Sequence, residues 1–311
     1  MKVYYKISDF KPLGNAAVTS GTFDGVHLGH QKIINRLNEI AQANHCETVV
    51  ITFWPHPRLV ISPNAEDFKL LNTIDEKIAL LEGMGINHLL ILPFTREFSE
   101  LSSEQYIEDI LINGIGTKIL VIGYDHRFGK NREGGMDYLV KNSNRFKIQI
   151  EEIPRQEIEN ITISSTKVRN AVADGEIEAA NELLGRNYSF SGVVVKGRQL
   201  GRTIGFPTAN VQLSKNYKLL PKNGVYGVKT HLRGRDYQGI MNIGNRPTVD
   251  GVGRTQEVHI FDFDDDIYGE NLEVELLFFV RDEQKFDSIK DLIQQIETDC
   301  NEVKKRLNHA D

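Results

Sequence analysis

The chain has 311 residues, a length that at roughly 100 to 200 residues per domain points to two domains. Hydrophobic residues make up 40% and charged residues 26%, enough apolar material for more than one core, which excludes wholesale disorder. With 37 Lys+Arg against 43 Asp+Glu the net charge is -6, which removes any electrostatic reason for the whole surface to hold a nucleic-acid backbone and leaves only a local basic patch.

Up to about residue 184, apolar runs alternate with helical patterns, the sequence signature of a parallel sheet flanked by helices. A strand at 16–20 precedes a helix in which Ile33, Leu37, Ile40 and Ala41 share one face. A second strand lies at 48–53. Thr73 and Glu76 form a capping box for a helix carrying Ile78, Leu81 and Met84 and stopping around Gly83 and Gly85. The third strand is 88–93, Ser102 with Gln105 caps another helix, and 118–123 and 147–153 complete a sheet of about five strands.

After Gly185 short β-rich runs broken by glycine, at 191–195, 226–231, 239–243, 257–261 and 273–280, predict a small antiparallel barrel. A last helix capped near Ser288 aligns Ile289, Leu292, Ile293, Ile296, Cys300, Val303 and Leu307 in a stripe expected to close the barrel. The expected domains are therefore 1–184, an α/β parallel-sheet domain, and 185–311, an antiparallel β-barrel with a C-terminal helix. No apolar run approaches the ~18 residues of a membrane helix and the first residues lack a secretory pattern, so a cytoplasmic protein without a membrane partner is expected. Cys46 and Cys300 have no metal-ligand spacing and read as buried or half-buried thiols.

Gly21-Thr22-Phe23-Asp24-Gly25-Val26-His27-Leu28-Gly29-His30 lies between the first strand and the first helix, where open α/β sheets bind ligands. Two imidazoles three residues apart at a helix start, beside free N–H groups and the positive end of the helix dipole, favour phosphate. The alternative is a Gly-rich turn with two solvent-facing histidines. Ile163-Ser164-Ser165-Thr166-Lys167-Val168-Arg169 ends a polar loop and opens a helix, offering hydroxyls, N–H groups and an arginine to an anion; taken singly it reads first as an ordinary helix cap. Two anion sites on one sheet suit a triphosphate.

In the second half, Gly197, Gly201 and Gly205 space a loop able to lie against a ligand, and Thr208 and Asn210 add the hard oxygen donors that Mg²⁺ prefers. A decorated β-turn is the alternative. No P-loop motif is present, so kinase chemistry here is of another kind. Asp262, Asp264, Asp266 and Glu273 imitate an EF-hand, but Ile267 stands where glycine is required, and an acidic hairpin turn is expected instead.

The two motifs of the first half resemble those of the HxGH nucleotidylyltransferase superfamily, which implies a Rossmann-like fold. Gly123-Tyr124-Asp125-His126-Arg127-Phe128-Gly129 with Trp54-Pro55-His56-Pro57 resembles its FMN adenylyltransferase branch, departing at His126, where an aromatic residue is usual. Gly205-Phe206-Pro207-Thr208-Ala209-Asn210 is similar to the riboflavin kinase signature, and Asn223-Gly224-Val225-Tyr226-Gly227-Val228, Asn242-Ile243-Gly244-Asn245-Arg246-Pro247-Thr248, Glu257-Val258-His259 and Asp266-Ile267-Tyr268-Gly269 follow in that family's order. The resemblance to bacterial bifunctional riboflavin kinase/FAD synthetases thus covers nearly the whole chain.

That resemblance implies riboflavin, FMN and ATP as substrates, FAD as final product and Mg²⁺ as cofactor. His27 and His30 would donate to phosphate oxygens of the transferring group, the Ser165–Arg169 turn, with Arg169 as its catalytic residue, would hold the leaving pyrophosphate, and Glu257 would be the base for the riboflavin 5′-hydroxyl, although by residue type alone it reads as an exposed strand carboxylate. Nucleotide contacts fall on Gly21, Phe23, Asp24, Gly29, Asp125, Ser164, Ser165, Thr166, Gly197, Gly201, Arg202, Gly205 and Pro207, with Asp24 either touching substrate or ordering its loop. Flavin contacts fall on Trp54, His56, Phe128, Arg281 and Phe286, and metal contacts on Thr208 and Asn210. An RNA-binding barrel and a non-catalytic flavin-binding protein are the competing classes; acidic charge opposes the first, and consumption of ATP with riboflavin would exclude the second. No nucleic-acid partner is expected, and a weak homo-oligomer is compatible with the sequence, which does not set the oligomeric state.

Overall fold

A computed structural model describes residues 1–62, 67–123, 126–153, 163–197, 199–248 and 251–308. Six parallel strands, β1 Lys2–Tyr4, β2 Ala16–Ser20, β3 Glu47–Trp54, β4 His88–Pro93, β5 Thr117–Gly123 and β6 Gln149–Ile153, form one sheet in the order β1-β4-β3-β2-β5-β6. Side chains alternate across a strand, so successive residues enter different cores. Val18, Val49, Ile51 and Leu120 pack with Ile107 and Ile110 on one face, while Ala17, Val50, Leu89 and Val121 pack with Ile34, Leu37 and Ile40 on the other. The strand missing from the expected five is β1, whose three residues pair with His88, Leu89 and Leu90 and are too few to show a period.

Local hydrogen-bond chemistry sets the helices. Both capping boxes form, Thr73 with Glu76 and Ser102 with Gln105. Within Leu28–Ala43 the fully buried isoleucine is Ile34; Ile33, expected on the core face, is only half-buried at the edge of the stripe. The helix begun at Ser103 continues as a π-helix over Tyr106–Ile115 and stops at Gly116, where φ is +80° and a Cβ would overlap the Leu13 carbonyl.

The chain divides into two compact units, Met1–Ser165 and Thr166–Asp311. The change of texture near 185 lies later than this division because the helix Ile177–Leu184 packs with the strands that follow it. Asn181 accepts from the Tyr188 N–H at 2.7 Å and donates to the Leu276 carbonyl at 2.9 Å.

The second unit is a closed antiparallel barrel of β7 Tyr188–Val195, β8 Ala209–Leu213, β9 Gly224–Leu232, β10 Arg235–Thr248, β11 Gly251–Ile260 and β12 Asn271–Arg281, in the order β10-β11-β8-β7-β12-β9. Arg233 and Gly234, at φ 51° and 74°, make the tight β9–β10 hairpin. β8 is a strand the sequence pattern does not announce. The expected acidic hairpin is corrected: β11 and β12 are not neighbours, so the acidic segment between them is a crossing loop. The last helix, Ile289–Asn308, is capped by Ser288, which accepts from the Asp291 N–H. Cys300 and Val303 are buried against Phe261 and Phe278, but Ile289 is 63% exposed, so the packing stripe starts at Leu292. Both cysteines are free thiols, Cys300 buried and Cys46 partly exposed.

Candidate active sites

Strand order places the first site. The chain runs outward from β2 through β3 to β4, then returns to the other side of β2 as β5, which makes the ends of β2 and β5 a topological switch point. The segment 21–30 leaves the end of β2, and Ser20 at that end lies 3.3 Å, hydroxyl to Nε2, from His126 beyond β5.

The histidines are not solvent-facing. His27 is 5% exposed and caps the helix Leu28–Ala43, its Nδ1 accepting from the His30 N–H at 3.4 Å. A ring nitrogen that accepts carries no proton, which assigns the proton of the neutral ring to Nε2. The His27 and His30 rings stack at 3.7 Å, 16° from parallel, and Phe23 meets His30 edge-on at 5.1 Å. A Cβ at Gly29 would crowd the His27 ring at 3.2 Å, so glycine between the histidines lets the rings stack.

The loop before them is strained, with φ of 45° at Phe23, 87° at Gly25 and 40° at Val26, conformations that non-glycine residues hold only where their surroundings impose them. Asp24 is 1% exposed, and its Oδ1 accepts from the backbone N–H groups of Leu71 at 3.0 Å and Asn72 at 3.4 Å, a loop-ordering position. The Ser165 hydroxyl donates to the Asp24 carbonyl at 2.9 Å, so its single proton ties down the loop. Ser164 and Thr166 are exposed beside it, and Arg169 follows one helical turn later. A residue absent from the sequence-derived site enters here: Lys77, 3% exposed, donates to the Thr22 carbonyl at 2.7 Å. Burial pushes its ammonium down to about 8 against the opposing pull of Asp24.

Of the expected flavin contacts in this half, Trp54 ends β3 half-buried, and His56 caps the turn at Pro57–Ile61 with its ring 5.2 Å from Phe68. Phe128 is a core residue, 8% exposed and packed 5.5 Å from the Tyr106 ring. Phe23 is also buried, 2% exposed. Asp125 lies outside the described residues, as does its neighbour Tyr124.

The barrel brings the second set together. Pairing of β11 with β8 sets Glu257 opposite Asn210, and the Thr208 hydroxyl donates to Glu257 Oε2 at 3.4 Å. Glu257 is half-buried, which replaces the exposed-carboxylate alternative. Gly197 packs on the Asn210 amide and Gly201 on the Phe206 carbonyl, each closely enough that a Cβ would collide, while Gly205 turns at φ +86°. His259, on the same strand face as Glu257, has Nδ1 2.8 Å from the Pro207 carbonyl. A carbonyl only accepts, so Nδ1 carries the proton and holds the Phe-Pro-Thr segment in place. Arg202, Pro207 and Thr208 line a cleft with Asp264, Asp265 and Tyr268, so the crossing loop has a place in the site.

Arg281 is held by the last helix. Its Nε and Nη2 bond the Asp299 carboxylate at 2.8 to 3.1 Å, its Nη1 donates to the Asp282 carbonyl, and Phe286 lies 5.8 Å from the guanidinium. Among the described residues no group of three or more His, Cys, Asp or Glu forms a metal cage, and no helix is long and apolar enough to cross a membrane.

Both halves define a two-site transferase architecture, and the comparisons identify it. Family models for FAD synthetase match residues 10–167 and for riboflavin kinase residues 184–307. A bifunctional riboflavin kinase/FMN adenylyltransferase of Listeria monocytogenes is 39% identical over 92% of this chain and 90% of its own. The proteins of that name from Bacillus subtilis and Escherichia coli K12 are 38% and 37% identical, covering 91% and 93% of this chain and 90% and 91% of theirs. A solved chain from Streptococcus pneumoniae, named as a macrolide-efflux protein, superposes with a TM-score of 0.89 at 33% identity over 97% of this chain and 98% of that one. The chain belongs to the bifunctional riboflavin kinase/FMN adenylyltransferase family.

Proposed function

We propose that the barrel half converts riboflavin and ATP to FMN and ADP, and that the sheet half converts FMN and ATP to FAD and pyrophosphate. The observation that carries the second step is the stacked His27–His30 pair at the start of the helix Leu28–Ala43, at the switch point. An FMN phosphate oxygen attacks the α-phosphorus of ATP in line, and the bond to the pyrophosphate oxygen breaks. His27, donating through Nε2, and His30 stabilise the charge on the transferring group at the positive end of the helix dipole. Ser164, Thr166 and Arg169 are assigned to the leaving pyrophosphate, while Asp24 and Ser165 order the loop. Trp54 and His56 border the flavin, with Phe128 supporting from the core.

In the barrel, Glu257 accepts the proton of the riboflavin 5′-hydroxyl as that oxygen attacks the γ-phosphorus and the bond from the γ-phosphorus to the ADP oxygen breaks. Thr208 and Asn210 offer side-chain oxygen donors that fit Mg²⁺, an ion that completes its shell with phosphates and water, with Glu257 beside them as the base. When bound, it neutralises charge on the ATP phosphates. Gly197, Gly201 and Gly205 let the loop backbone approach the nucleotide, with Arg202 and Pro207 on the cleft wall, and Arg281 and Phe286 are assigned to the flavin side. Separation of the activities at 184/185, a cytoplasmic location without nucleic-acid or membrane partners, and self-association no stronger than a weak homo-oligomer belong to the same proposal.

The test is incubation with riboflavin, ATP and Mg²⁺ followed by chromatography of the flavins. FMN should appear first and FAD after it. FAD formed without FMN as an intermediate, or no flavin converted, would overturn the assignment.

A further inference from the structure

The strained loop at the first site needs something to hold it. Phe23 and Val26 sit at φ 45° and 40°, and valine, being β-branched, is poorly suited to that region. Side-chain hydrogen bonds hold the loop: the Asp24 carboxylate rests on two backbone N–H groups, the Ser165 hydroxyl bonds the Asp24 carbonyl, the Gln31 amide bonds the Val26 carbonyl at 2.9 Å, and a pair of donors meets the Thr22 carbonyl. That pair is Lys77 Nζ at 2.7 Å and Thr52 Oγ1 at 3.2 Å. In a trans peptide the carbonyl and the following N–H point to opposite sides, so drawing the Thr22 oxygen inward turns the Phe23 N–H away from Lys77. The platform under Lys77 is firm, because its helix, Ile74–Glu82, begins in the Thr73–Glu76 capping box.

An ammonium is a costly way to satisfy one backbone carbonyl at 3% exposure. A methionine would pack there without that penalty, so stability alone does not account for the charge. We infer that Lys77 is a positioning residue for adenylyl transfer, holding the Thr22 carbonyl inward so that the loop and the His27–His30 pair stand ready for phosphate. This rests on the assignment of FAD formation to the sheet half. Asp24, from the loop, is the charged group acting on Lys77, and Thr52 is its uncharged neighbour from β3. Since burial brings the ammonium down to about 8, its charge is present below that pH and lost as pH rises through it.

The test compares wild type, Lys77→Met, Lys77→Arg and His27→Ala, measuring kcat and KM for FMN-to-FAD conversion across neutral and alkaline pH. Riboflavin phosphorylation by the same preparations checks the chain as a whole. Lys77→Met should lower kcat by roughly 10- to 100-fold with little change in KM for FMN, because the loop misplaces the reacting groups without removing a substrate contact. Wild-type kcat should fall as pH rises past about 8, Lys77→Met should lack that limb, and Lys77→Arg should recover part of kcat and move the limb to higher pH. A wild-type kcat in Lys77→Met, a loss confined to KM, or the same alkaline limb in both would overturn the inference. If Lys77→Met does not fold, Thr52→Val decides: losing the second donor should lower kcat by roughly 3- to 10-fold, and an unchanged kcat would overturn the proposal. His27→Ala keeps the two failures apart, since undiminished FAD synthesis there would remove the site assignment itself.

Discussion

Asp299→Asn tests whether Arg281 is an anchor or a ligand-binding residue. The carboxylate is 4% exposed and receives Arg281 Nε and Nη2 together with the Gln295 side-chain amide at 2.8 Å, while the Arg281 side chain is 17% exposed. Breaking a buried pair by removing one charge costs about 3–5 kcal/mol, because the other is left uncompensated. Asparagine keeps one acceptor, and Arg281 keeps some solvent and its bond to the Asp282 carbonyl, so about 2–3 kcal/mol is expected. At about 2–4 °C per kcal/mol, the barrel unit should melt roughly 5–10 °C lower, read by calorimetry of the full chain. The charge-free double variant Arg281→Met with Asp299→Leu should recover most of that loss. A Tm within about 1 °C of wild type in Asp299→Asn would refute the reasoning. Riboflavin KM then separates the roles: a rise in Arg281→Met that is absent from Asp299→Asn marks a direct flavin contact, and unchanged KM in both marks an anchor.

His27→Ala and His30→Ala should each slow FAD formation from FMN by ~10²–10³-fold while leaving riboflavin phosphorylation near normal, measured by separating the two products. Glu257→Gln keeps shape and removes the base, so FMN formation should fall ~10²–10⁴-fold while FAD formation from supplied FMN and riboflavin affinity survive; near-normal FMN formation removes Glu257 as the base. His231 lies between Asp236 and Glu275; burial lowers its pKa, but the hydrogen bonds to Glu275 and Asp236 outweigh burial and leave it raised above 6.5. The imidazolium is therefore favoured in the folded state, and its stabilisation is complete below pH 6.5 and lost as pH rises through the folded value. The Tm difference between wild type and His231→Asn should accordingly be largest at mildly acidic pH and shrink towards alkaline pH, and a difference independent of pH would contradict the bridge.

What could be seen in the sequence follows the range of the interactions involved. The boxes at Thr73–Glu76 and Ser102–Gln105 close over three residues, so residue type and spacing suffice to predict them. The sheet strands 88–93 and 16–20 were equally visible, because central parallel strands are buried on both faces and read as continuous apolar runs. β8 was not visible: it is five residues long, and only Ala209 and Val211 are buried. Strand adjacency was also hidden, since an acidic segment between two strands looks the same whether it turns back or crosses to the far side of a barrel. Site residues divide on the same principle. His27, His30 and Glu257 stand in dense local motifs, whereas Lys77 depends on a carbonyl 55 residues away and Arg281 on a carboxylate 18 residues later. On its helix Lys77 occupies the stripe of Ile74, Ile78 and Leu81, where its apolar stem is compatible with burial. A lysine on such a stripe either snorkels to water or finds an acceptor inside, and the deciding atom belongs to another part of the chain. The useful signal in sequence is therefore the misplaced charge itself: a cation on a core stripe near a glycine-rich strand end marks a loop whose backbone conformation needs a donor from below.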